Sequence, residues 1–184
     1  MPYLVTACQG LLAVVLLVSA TSKLRSGQAL RVLAGSLAAM RLVPPRWAEP
    51  VAAVLAVAEA VAVVLLLIPA TRRVGFGAAA ALLAVLAAGV AVVLARGTAQ
   101  PCRCFGASAT PLGRRHLVRN VVLCLAAFAG LVGPAGPAVP AGTLLALLAG
   151  AVAGLLVTVL DDIVALLTPM SRTDLSKEMS RWRT

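Results

Sequence analysis

Charge is scarce in this chain. Only 12% of its 184 residues are charged, against 61% hydrophobic residues and a mean hydropathy of +1.03. No polar stretch between its apolar runs is long enough to fold alone, and together these features exclude an ordinary soluble domain. Cysteine is also scarce: Cys8, Cys102, Cys104 and Cys124 are too few and too unevenly placed for the disulfide framework of a small secreted domain. There is no nicotinamide-binding motif and no second cysteine pair at zinc-site spacing. The first apolar run has no basic stretch ahead of it and no small-residue cleavage site before a soluble region, so it reads as a retained span. The formal net charge of +10 does not point to nucleic acid. The basic residues lie between and after the apolar runs instead of in one run interleaved with aromatics, and topology and anionic lipid account for them.

What remains is hydrocarbon in five runs. Residues 3–22 approach the ~20 that a helix needs to cross ~30 Å of bilayer core. Further runs occupy 50–68, 74–94, 115–132 and 143–160. Residues 28–43 are weakly amphipathic, too broken for a span, and predict a helix at the membrane interface, ended by Pro44-Pro45. Trp47 suits the headgroup region. The predicted fold is all-α: a polytopic transmembrane bundle of about five spans, a four-helix core plus a C-terminal span, with one interfacial helix. Residues 1–170 form a single membrane domain and 171–184 a short basic tail. Gly75, Gly77 and Gly89 in the third run and the Gly150/Gly154 pair in the fifth suit close helix packing. Asp161-Asp162 is expected at the interface after the fifth span.

Five spans put the termini on opposite sides. Of the 16 lysines and arginines, all but Arg72 and Arg73 then share the side of the first connection, the 97–113 loop and the tail. Basic residues in short loops stay in the cytoplasm. A multi-pass plasma-membrane protein with its N-terminus outside and its C-terminus cytoplasmic is the expectation.

Four features carry chemistry. Cys102 and Cys104 lie one residue apart in the short polar loop, with Arg103 between them and Arg114 and Arg115 close behind. Positive charge and the N-terminus of the following helix favour thiolate, the reactive form, and a disulfide closing so small a ring is labile. This is the pattern of a thiol-disulfide oxidoreductase. Incidental or structural cysteines in a non-catalytic assembly or chaperone subunit are one alternative. A soft-metal site on Cys102, Cys104, Cys124 and His116 is another. His116, Asn120 and Cys124 fall at i, i+4, i+8 and line one helix face. Cys124 and Cys8 could extend a thiol relay or serve as small apolar side chains. Glu59 sits in the second span, where an acid faces the bundle interior with a partner. Lys23, at the end of the first span, reads as a snorkelling interfacial anchor or as that partner. No cofactor is predicted, although a quinone held between helices would leave little trace in sequence.

These residues resemble a known family. Cys102-Arg103-Cys104-Phe105-Gly106, followed after a Pro/Gly-containing loop by Leu117-Val118-Arg119-Asn120, is similar to the Cys-x-Cys-Phe-Gly and Arg-Asn signature of the MauE family, methylamine-utilisation membrane proteins grouped with DoxX-like proteins. Lys23-Leu24 after a small-residue run and Glu59 look like its other recurrent features. The resemblance implies a redox-associated helical membrane protein that supports disulfide formation or processing in an exported partner, as in maturation of a methylamine dehydrogenase subunit. It implies Cys102 and Cys104 as the redox pair, Arg103, Phe105, Gly106, His116, Arg119 and Asn120 as support, Lys23 and Glu59 as intramembrane polar groups, and a thioredoxin-like or exported protein as partner.

Overall fold

A computed structural model describes residues 2–97, 113–134 and 139–167. Among them six helices follow one another: α1 (Pro2–Leu24), α2 (Gly27–Ala39), α3 (Pro45–Leu67), α4 (Arg72–Ala95), α5 (Arg114–Val132) and α6 (Pro140–Leu167), with no strand among the described residues. All but α2 are long and apolar enough to cross a membrane. The protein is a multi-pass helical bundle, as its five apolar runs predict.

Helices α1, α3, α4 and α5 close a ring in which each packs against its two neighbours. The ring is filled by Leu12, Leu16, Leu66, Phe76, Leu83 and Leu123. Its outside is equally apolar, with Val57, Val64, Leu67, Val85, Leu125 and Phe128 all exposed. Such a surface suits lipid, and because lipid is as apolar as the core, burial does not hold the helices together. Close packing and polar ties do.

The packing is visible where backbones meet. Gly75 on α4 sits against the Leu65 and Leu66 backbone of α3, and Gly130 on α5 leaves the room that the Phe76 ring fills. Helix α6 lies outside the ring, parallel to α1. Gly150 faces the Ala7 carbonyl, Gly154 the Leu11 carbonyl, and Gly10 of α1 the Leu147 carbonyl. A methyl group at Gly150 would collide with that carbonyl, so the anticipated Gly150/Gly154 pair is part of this contact. Gly77 has nothing within 4 Å of an added Cβ and takes no part in helix contact.

Three boundaries differ from expectation. Helix α3 begins at Pro45, not at 50: Pro45 occupies the first turn, where its missing N–H costs nothing, and Pro50 sacrifices only an early hydrogen bond. Glu59 therefore lies just past the middle of the helix, toward its Leu67 end. Helix α2 stops at Ala39, ahead of the prolines, because the chain closes its own end: Arg41 N–H donates to Ala38 O (2.9 Å), Leu42 N–H donates to Leu37 O (3.2 Å), and Arg41 takes a φ of 52°. This is a Schellman closure with arginine where glycine is usual. At its other end the Ser26 side chain accepts from Ala29 N–H at 3.1 Å. Leu33, Ala34 and Leu37 of α2 then pack on Ala48 and Ala52 of α3. Helix α6 runs on through Asp161-Asp162 to Leu167, since no breaker precedes Pro169.

If the glycine contact joins α6 to α1, Gly150→Ala lowers the protein's stability in detergent by about 1–3 kcal/mol, the usual range for overpacking. Gly77→Ala is neutral or stabilising by up to about 1 kcal/mol. Thermal unfolding of the two variants beside the wild type checks the contrast.

Candidate functional site

Polar side chains inside the ring gather at one level. Ser19 and Lys23 stand one turn apart on α1 and so face the same way. The Lys23 side chain leans back toward the N-terminus, which brings its Nζ to 2.8 Å from Ser19 Oγ. There it meets Glu59 of α3: Nζ to Oε1 is 2.5 Å, with Lys23 4% and Glu59 0% exposed. The Ser19 hydroxyl also hydrogen-bonds the carboxylate. Lys23 is thus no snorkelling anchor. A carboxylate with no exposure in an apolar bundle requires a counter-charge, and the backward lean of the lysine stem delivers one.

Helix α5 supplies Asn120, 2% exposed. Val5 of α1 lies against Gly133. Carrying that antiparallel alignment along both helices at equal rise brings Asn120 level with Val18, the neighbour of Ser19. Glu59 Oε2 and Asn120 Oδ1 meet no hydrogen-bond donor among the described residues. The cluster therefore retains acceptor capacity where an unmet acceptor costs about 1–3 kcal/mol. It can tie helices together and take up a proton or a donor, but it holds no redox-active atom.

The proposed line of His116, Asn120 and Cys124 is only partly the inward face of α5. The buried stripe is Asn120, Leu123, Ala127 and Gly130, with His116, Arg119 and Cys124 half-buried on its flanks. The Cys124 thiol turns toward α4, its Sγ 3.6 Å from Ala80 O. Cys8 and Cys124 are both free thiols packed against the apolar core, an environment that suits a small apolar side chain. The i, i+4, i+8 spacing ignores the helix's drift relative to its neighbours, which moves the contact stripe by one residue.

Cys102, Arg103, Cys104, Phe105 and Gly106 lie outside the described residues. Among the described residues no three His, Cys, Asp or Glu side chains come together as a metal site needs; two of the four suggested soft-metal ligands are in the undescribed loop. Two contributors were missed from the sequence. Ser19 passed as one of a run of small residues, although it stands one turn before Lys23. Gln9, a polar residue inside an apolar run, sends its Nε2 to Leu66 O at 2.7 Å and ties α1 to α3 a second time.

The family described as methylamine utilisation protein MauE matches residues 1–133. The chain belongs to the MauE family. The match takes in the four ring helices, the Lys23–Glu59 pair and the Cys102-Arg103-Cys104-Phe105-Gly106 segment, whereas α6 lies beyond it. No curated protein and no solved structure matches the chain. Membership and fold together describe a multi-pass membrane protein of the methylamine-utilisation MauE family.

Breaking the buried pair of this MauE protein leaves one charge stranded. Glu59→Leu or Lys23→Met alone is expected to cost about 3–5 kcal/mol, while the Lys23→Met/Glu59→Leu double variant recovers most of the loss. A double-mutant cycle by thermal unfolding reads this directly, and additive losses would count against a coupled pair.

Proposed function

We propose that this MauE-family protein is a membrane thiol-disulfide redox protein in which Cys102 and Cys104 exchange with a thioredoxin-like or exported partner. The carrying observation is the family match, which includes the two-thiol segment. The two other cysteines are free and packed against the core, which supports assigning the exchange to the loop pair.

The step is a dithiol–disulfide exchange. A thiolate of the reduced loop attacks one sulfur of the partner's disulfide, forming a mixed disulfide and releasing the partner's other sulfur as thiolate. The second loop thiolate then attacks the mixed bond, so the loop is oxidised and the partner reduced; the reverse sequence oxidises the partner. Arg103, Arg114 and Arg115 supply positive charge that favours the thiolate. Arg119 and Asn120 support the loop, Phe105 and Gly106 shape it, and the Lys23–Glu59 pair fixes the bundle beneath it. By the distribution of basic residues the loop and the C-terminus face the cytoplasm across a plasma membrane, with the N-terminus outside. In that orientation the direct exchange partner meets the loop on the cytoplasmic side.

Substituting one cysteine at a time tests the exchange. Cys102→Ser or Cys104→Ser removes the resolving thiol and is expected to accumulate a mixed disulfide with the partner, visible on non-reducing gels and lost on adding reductant. Absence of a trapped species from both variants, with activity intact in the double variant, would make the cysteines dispensable and the protein a non-catalytic assembly subunit.

A further inference from the structure

A cavity of about 260 Å³ lies between α2, the turn after it, α3 and α4. Its wall is hydrocarbon, including Leu37, Met40, Leu42, Leu55 and Val85. Gly89 completes the wall, and an added Cβ there would meet only Leu42 Cδ1, at 3.7 Å. This glycine keeps a space open and does not bring two helices into contact. Walls of this kind offer nothing to orient a polar ring, and inside a membrane their natural occupant is an acyl chain.

The rim is different in character. Arg41 stands between the wall residues Met40 and Leu42, with its backbone at φ 52°. A side chain there costs about 1–2 kcal/mol relative to the ordinary helical region, and glycine would close the helix equally well. The Arg41 carbonyl accepts from Arg96 Nη1 at 3.2 Å, so the residue that ends α4 is tied to the turn that ends α2. Both arginines are exposed, and neither is paired with a carboxylate among the described residues. The Arg96 guanidinium thus meets the backbone of the Arg41 turn, and both exposed arginines are close in sequence to residues that line the apolar cavity. Arg41 is held there at a backbone cost that glycine would avoid.

We propose that this is a binding site for an anionic phospholipid, with one acyl chain in the cavity and the phosphate held between Arg41 and Arg96. Guanidinium matches phosphate oxygens in geometry and charge, and basic pockets between membrane helices suit anionic headgroups. The site is independent of the thiol chemistry.

Three substitutions separate its parts. Full-length protein purified in detergent and stripped of lipid is incubated with phosphatidylglycerol or with phosphatidylcholine of the same chains, and retained lipid is counted by native mass spectrometry. The wild type is expected to retain phosphatidylglycerol in preference. Arg41→Gly and Arg96→Gln should each reduce that retention about fivefold, the effect of one basic residue near an anionic surface, and leave phosphatidylcholine unchanged. Gly89→Leu fills the cavity and should reduce retention of both lipids. Arg41→Gly also relieves the backbone, so its melting temperature should equal or exceed the wild type's, which separates lost binding from unfolding. Equal retention of the two lipids by the wild type, or undiminished phosphatidylglycerol in Arg41→Gly, would overturn the proposal.

Discussion

The buried pair of Lys23 and Glu59 is the constraint from which the rest of the bundle is best understood. In lipid, apolar side chains gain little by facing one another, so the sequence must specify inside from outside by other means. A lysine and a glutamate that are both almost fully enclosed allow very few arrangements of α1 and α3. The two helices must face each other, at a depth where the lysine, folded back over Ser19, reaches the carboxylate. Gln9 repeats the tie nearer the opposite end through the Leu66 carbonyl. With α1 and α3 fixed, α4 follows α3 through Gly75, and α5 closes the ring against Phe76 through Gly130.

The same logic separates the ring from its appendage. Helix α6 lies outside the residues that match the family and joins the ring through glycine contacts with α1, with no charge among its described side chains. Two modes of association thus coexist. One depends on an expensive polar pair that specifies partner and depth; the other depends on small residues that let two parallel backbones approach.

Much of this was legible in the residues. The five apolar runs marked the five long helices, because length and hydropathy are sufficient to define a span. Glu59 announced an interior partner, because an intramembrane acid must have one. Other features depend on three-dimensional context. Lys23 carries the same local signature whether it snorkels outward or folds inward, and only the position of α3 decides. Pro50 looked like a helix start because proline favours the first turn, yet Pro45 held that place five residues earlier. Arg41 gave no sign of its left-handed backbone, since that position ordinarily calls for glycine. The shared face of His116, Asn120 and Cys124 did not say which way it turns, and of the three only Asn120 is fully buried.

The chemistry assigned to this protein rests on Cys102 and Cys104, while the structure gives Cys8 and Cys124 the environment of packing residues. The division between reactive and packing thiols is the central claim, and alkylation tests it most directly. Cells treated with or without a thiol oxidant are labelled with a membrane-impermeant maleimide, then denatured and labelled with a mass tag, and each cysteine is scored. The account predicts that Cys102 and Cys104 move together between dithiol and disulfide and are shielded from the external reagent, while Cys8 and Cys124 remain thiols throughout. A loop pair indifferent to oxidant, or a disulfide that includes Cys8 or Cys124, would contradict it.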